Sequence, residues 1–257
     1  MTRIGALFQL GRLLDARTEL RQAVQDARAT ESVTTLLQLT LVAALDDVAL
    51  DRASRARERL NAQREQLPAQ GFGALHLLHI IAVMRVACAL GDYAWARPIV
   101  DVMWPKFERS LVRHSVFATL AYGAHARYLL NQHVIERASG DPNKLLRDDL
   151  RALQKLSERV GPAAFTRFRA RLAYLSGGRE RALPLFREHV ESCAGDTYFD
   201  EQERAKWAFG RVLGGPEGTA LSASALEKLR DCGMLDPERE LGSHFPELIA
   251  WIQLNSC

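Results

Sequence analysis

The sequence predicts an all-α fold, and three observations carry the prediction. Apolar residues recur at the helical period along nearly the whole chain. No segment sustains the alternation that a half-buried strand needs, and Gly, Pro or Asp interrupts the pattern at intervals of about 12 to 25 residues. Segments of that length joined by short breaks make antiparallel neighbours. The expected architecture is a right-handed solenoid of about five or six antiparallel helix pairs.

The elements follow in order. "ARTELRQAVQDA" puts Leu20, Val24 and Ala27 on one stripe with charges opposite. "TLLQLTLVAAL" has a wider apolar face, Leu36, Leu37, Leu39, Leu41, Val42 and Leu45, which suits a central helix. "DRASRARERLNAQRE" carries Arg52, Arg55 and Arg59 as a stripe, with Arg57 and Arg64 beside it. Interleaved acids and the lack of a stacking aromatic make it a solvated face rather than a nucleic-acid contact. "ALHLLHIIAVMRVACAL" is apolar almost all round and should be buried on two sides. Trp95, Trp104 and Phe107 should pack between helices, and Pro98 and Pro105 should kink or shorten theirs.

Breaks are expected at Gly11, Asp46-Asp47, Pro68 to Gly73, Gly91-Asp92, Gly140 to Pro142, Gly161-Pro162, Gly177-Gly178 and Gly214 to Pro216. "CALGDYAWARP" and "YLSGGRERALP" align, so that Gly91, Ala96 and Pro98 match Gly177, Ala182 and Pro184. "FQLGRLLDA" repeats the spacing with Gly11 and Ala16, and the glycines recur at about twice a repeat of roughly 40 residues. Gly ends the first helix of a pair, and Ala sits where the second crosses it.

"LG-x4-A" between amphipathic helices resembles the tetratricopeptide repeat. "VMWPKFERSLVRHSVFATLAYGAHARYLL", "AYLSGGRERALPLFREHVESC" and, most tellingly, the Gly210 to Arg239 segment "GRVLGGPEGTAL…GMLDPER" are similar to a more particular group. They resemble the degenerate repeat region at the C-terminus of large bacterial, myxobacterial-type serine/threonine kinases, over residues 70–241. Tetratricopeptide-like pairs are expected over 1–213 and a helical cap over 214–257; independently of the resemblance, Gly11 ends a first helix so soon after Met1 that the first repeat reads as truncated. The resemblance implies a protein–protein interaction scaffold, the regulatory or docking region of a signalling kinase. The tail after Arg239 departs from the pattern and reads as a lineage-specific cap. A freestanding adaptor and the helical regulatory domain of a transcription activator are the alternatives; the latter would need a DNA-binding module.

The expected partner is a protein or peptide, including a covalently linked kinase domain. Arg85 and Arg171 fall six residues before Gly91 and Gly177, so both should line a groove and pair with a partner's carboxylates or phosphates. Tyr174, with Cys88 and Phe8, takes the next turn. No catalytic role is assigned. Kinase motifs are absent, and "GFGALH" and "GGPEGTAL" lack the lysine of a phosphate-cradling loop. His76 and His79 lack a zinc-protease carboxylate. Asp46-Asp47 reads as a cap and Asp148-Asp149 as a solvated face, so no cofactor or metal is expected.

Composition agrees: 257 residues, 47% hydrophobic, can bury a sizeable core, which argues against disorder. A net charge of +3, from 34 basic and 31 acidic residues, is too balanced to imply nucleic acid or an anionic membrane. The scattered Cys88, Cys193, Cys232 and Cys257 read as reduced thiols of a cytoplasmic protein. The N-terminus lacks a signal-peptide core, and no run of about 18 apolar residues occurs.

Overall fold

Where the apolar stripes meet Gly, Pro or a capping acid, the chain turns, and eleven α-helices result with no strand among the described residues. The computed structural model describes residues 3, 4, 7, 10–115, 117–194 and 199–249. The helices are α1 (Leu13–Ala29), α2 (Val33–Ala49), α3 (Ala53–Arg64), α4 (Ala74–Leu90), α5 (Tyr93–Arg109) and α6 (Ala118–Ile135). They continue as α7 (Pro142–Val160), α8 (Ala163–Cys193), α9 (Phe199–Leu213), α10 (Gly215–Asp231) and α11 (Pro237–His244).

Each helix from α1 to α8 packs on the next except across the α5–α6 connection, where the 3₁₀ turn Leu111–His114 intervenes. α9 packs on α8 and α10. A second layer of contacts links α2 to α4, α4 to α6 and α6 to α8. The α4 helix is the hub: Leu77, Ile80, Ile81, Val83, Met84 and Val86 are all buried, as its all-round apolar sequence requires.

The Gly91 turn forms as its sequence dictates. Gly91 closes α4 in the left-handed region at φ 68°, and Asp92 caps α5 by accepting from Trp95 N–H at 3.1 Å. Ala16, Ala96 and Ala182 are all fully buried. One residue past the aligned Gly177, Gly178 takes the non-helical φ 69° and ψ −163° and divides α8 into two helical runs, so the break expected at Gly177-Gly178 is present.

Three expectations fail. Asp46 and Asp47 lie inside α2, and the turn comes later, with Asp51 at φ 55°. The helix tolerates them because Asp46 pairs with Arg17 (2.8 Å) and Asp47 with Arg59 (2.7 Å). Pro98 and Pro105 do not shorten α5, which runs 17 residues, its inner side held by Ile99, Val100, Trp104 and Phe107. Asp149 is not solvated: it is buried and lies 2.7 Å from His125 Nδ1, beneath the stacked Trp104 ring.

The Gly210 to Gly218 stretch also finds its physical reason. A Cβ on Gly218 would meet Gly210 O at 2.4 Å, and one on Gly210 would meet Gly218 O at 2.6 Å. The backbones of α9 and α10 therefore touch where only glycine fits.

Candidate interaction site on the inner face

After α10 the chain turns back across the helices already laid down. Arg17 donates to Gly233 O at 2.8 Å, and Arg239 pairs with Asp51 at 2.6 Å, tying the start of this segment to the α1–α2 end. Asp236 caps α11 by accepting from Arg239 N–H at 3.0 Å. α11 then packs against α2, α4 and α6, and the 3₁₀ turn Pro246–Leu248 reaches α6 and α9.

The seat is built of arginines on otherwise apolar helix faces. Arg171 of α8, fully buried, grips Glu247 with both fork edges, Nε to Oε1 at 2.6 Å and Nη2 to Oε2 at 2.8 Å. Its Nη2 also donates to Asn131 Oδ1 at 2.8 Å, and Asn131 in turn donates to Ser243 O at 2.5 Å. Arg127 of α6 donates to Ser243 O (3.0 Å), to Ser243 Oγ (2.5 Å) and to His244 Nε2 (2.6 Å). Arg204 of α9 holds Glu240 through Nε (3.2 Å) and Nη2 (2.9 Å). Beneath them Phe245 is buried between Phe186 and Trp207. Planar forks meeting carboxylates in low-dielectric surroundings give orientation as well as energy.

The electrostatics follow from this pairing. Burial alone would raise Glu240, but Arg204, His244 and Arg127 hold it well below the usual carboxylate range. Burial lowers Arg204, yet Asp200, Glu240 and Glu201 together outweigh it and raise its pKa. Burial, with Arg127 beside it, keeps the His244 ring far below its ordinary value and hence neutral. His244 Nε2 stands between the two charges, 2.6 Å from Arg127 Nη1 and 2.9 Å from Glu240 Oε1.

The three residues expected to bind a partner have separate environments. Arg171 takes its carboxylate from this chain's own Glu247. Arg85 makes no ion pair among the described residues and faces a cavity between α4, α6, α8 and α9. Tyr174 is partly buried and packs against the cluster that holds Phe186 and Trp207. Phe8 lies outside the described residues. Sequence reasoning missed Arg127, Asn131, Arg204, Glu240 and Glu247. The available signal was an arginine inside each apolar stripe, "AHARYLL" and "RARLAYL", a placement that demands a buried partner.

Elsewhere, His76 Nδ1 accepts from Gly73 N–H at 3.2 Å and Nε2 lies 3.0 Å from Pro68 O, while His79 is buried without a polar partner. Among the described residues no group of three or more His, Cys, Asp or Glu side chains is poised to hold a metal. Nor, among the described residues, is any helix long and apolar enough to cross a membrane. Comparison of the chain with protein-family models, characterised proteins and solved structures finds no match.

Proposed function

We propose that the chain is a protein–protein interaction scaffold, a right-handed array of tetratricopeptide-like antiparallel helix pairs whose inner face takes acidic helical segments. The observation that carries this reading is the chain's own segment 236–249. It lies on that face with Glu240 on Arg204 and Glu247 on Arg171. The α2–α4, α4–α6 and α6–α8 contacts support a layout in which alternate helices line one face, as stacked pairs do. Resemblance over residues 70–241 supports a more particular reading, the regulatory region of a bacterial serine/threonine signalling kinase. A linked kinase domain or its substrate would then compete with the segment for the face, in the cytoplasm.

Binding in trans tests the face. Glu247→Arg opposes a guanidinium to Arg171 and should eject the segment. The full-length variant should then bind an added peptide of residues 236–249 saturably, while the unaltered chain should not. A peptide with Glu240→Gln and Glu247→Gln should bind at least tenfold more weakly. Retained helicity with no peptide binding would overturn the reading. The kinase attribution is checked by immunoblot of source cells: a band far above 28.7 kDa is expected, and one at 28.7 kDa would favour a freestanding adaptor.

A further inference from the structure

Beside the seated segment lies an open cavity of about 310 Å³, between α4, α6, the α7–α8 turn and the first turn of α9. Four guanidiniums line it, from Arg85, Arg127, Arg167 and Arg204, against two carboxylates, Asp200 and Glu201. Arg167 is paired with Glu201. Arg204 is paired with Asp200 and with Glu240. Arg127 is held by Ser243, His244 and Cys88, none of them a carboxylate. Arg85 has no hydrogen-bond acceptor and no carboxylate within ion-pair distance among the described residues. Once Glu240 is counted, four positive charges face three negative ones, and one partly buried cation lacks a counter-ion.

An uncompensated charge drawn away from water is expensive, and a built site of this kind favours an entering anion. Burial, then the positive charge of Arg204, pulls Arg85 below its ordinary pKa, and the more distant Asp200 and Glu240 offset this only in part. The first turn of α8 adds its positive dipole end, since Ala163 and Ala164 also line the space. The mouth is of the opposite character. Phe117, Leu120 and Val160 line it and are 57%, 40% and 37% exposed. A cavity this small sits at the lower end of ligand pockets, about 300–1,000 Å³.

We propose that this cavity binds a small amphipathic carboxylate, its anionic end on Arg85 with Arg127 behind, its apolar body against Phe117, Leu120 and Val160. A single missing negative charge fits a carboxylate better than a dianionic phosphate. The planar fork of Arg85 supplies two parallel donors to its oxygens. Gly123 on α6 leaves the room: a Cβ there would come no closer than 3.8 Å to Arg167 Nη2, so a larger side chain would fill the cavity without striking backbone. The site stands on Arg85 and the cavity walls and does not depend on the scaffold reading.

Calorimetric titration of the full chain with hexanoate, octanoate and phenylacetate tests it, with octanamide as the neutral isostere and inorganic phosphate as the bare anion. Saturable binding of at least one carboxylate is expected, with none of octanamide and weaker binding of phosphate. Arg85→Met and, independently, Gly123→Leu should each weaken the carboxylate at least tenfold with far-UV circular dichroism unchanged. Absence of saturable binding for all three carboxylates would overturn the proposal. So would equal affinity for octanamide or phosphate, or unchanged binding in both folded variants.

Discussion

Replacing Arg171 by Met removes the charge that holds Glu247 of the returning segment while keeping an unbranched side chain of similar reach. Arg171 is fully buried, and the Glu247 side chain is 2% exposed. The change leaves a carboxylate and the Asn131 oxygen without their donors in a dry site. Breaking a buried ion pair from one side costs about 3–5 kcal/mol. For a chain of this size that lowers Tm by on the order of 10 °C. Denaturant unfolding and calorimetry measure both. The pair itself contributes far less than its rupture costs, because both ions were desolvated to make it. The double variant Arg171→Met with Glu247→Leu should therefore recover most of the loss, to within about 1–2 kcal/mol of the parent. A loss under about 1 kcal/mol in the single variant, or a double variant no better than the single, would refute the argument.

Other perturbations have equally definite outcomes. Gly218→Ala should destabilise by about 2–3 kcal/mol, since its Cβ would meet the Gly210 carbonyl oxygen at 2.4 Å and neither backbone can yield cheaply. Gly91→Ala meets nothing within 4 Å and should cost only the left-handed backbone strain, about 1–2 kcal/mol; urea titration of both variants separates clash from strain. Acid should weaken the fold early. Burial lowers His79 and His189 to about 4 from 6.5, so both stay neutral in the native state while the unfolded chain takes up protons. Their stabilisation is complete above pH 6.5 and is lost as pH falls towards 4, by roughly 2–3 kcal/mol per pH unit for the two together. Replacing both by Leu should reduce the slope in that window and leave the share of His244, which burial also keeps neutral, and an unchanged profile would contradict the assignment. Glu201, held at about 2 by Arg167, His189 and Arg204 against burial, adds a second loss below its ordinary 4.5.

What was legible in the sequence was local. Period, glycine and alanine spacing are properties of one helix and its neighbour, so the all-α class, the Gly91 turn and the buried alanines could be read directly. The aspartates could not. Asp46 in "LDDVAL" looks like a break until Arg17, 29 residues earlier, supplies its charge, and Asp149 looks solvated until His125 is placed over it. The seat of segment 236–249 was hidden for the same reason. Arg127 meets Ser243 across 116 residues and Arg171 meets Glu247 across 76, separations at which no periodicity speaks. Aligning Arg85 with Arg171 located two arginines of the right chemistry, yet the structure gives one a carboxylate from its own chain and leaves the other facing a cavity.

Hydrogen exchange of the full chain tests the seating of segment 236–249 most directly. Phe245 N–H donates to Leu241 O at 2.8 Å and Leu248 N–H to Phe245 O at 3.0 Å, both over a buried floor. These amides should be protected to the level of the α4 core in the parent chain. In Arg171→Met they should exchange much faster while α4 keeps its protection. Exchange of Phe245 and Leu248 at the rate of a free peptide in the unaltered protein would contradict the account.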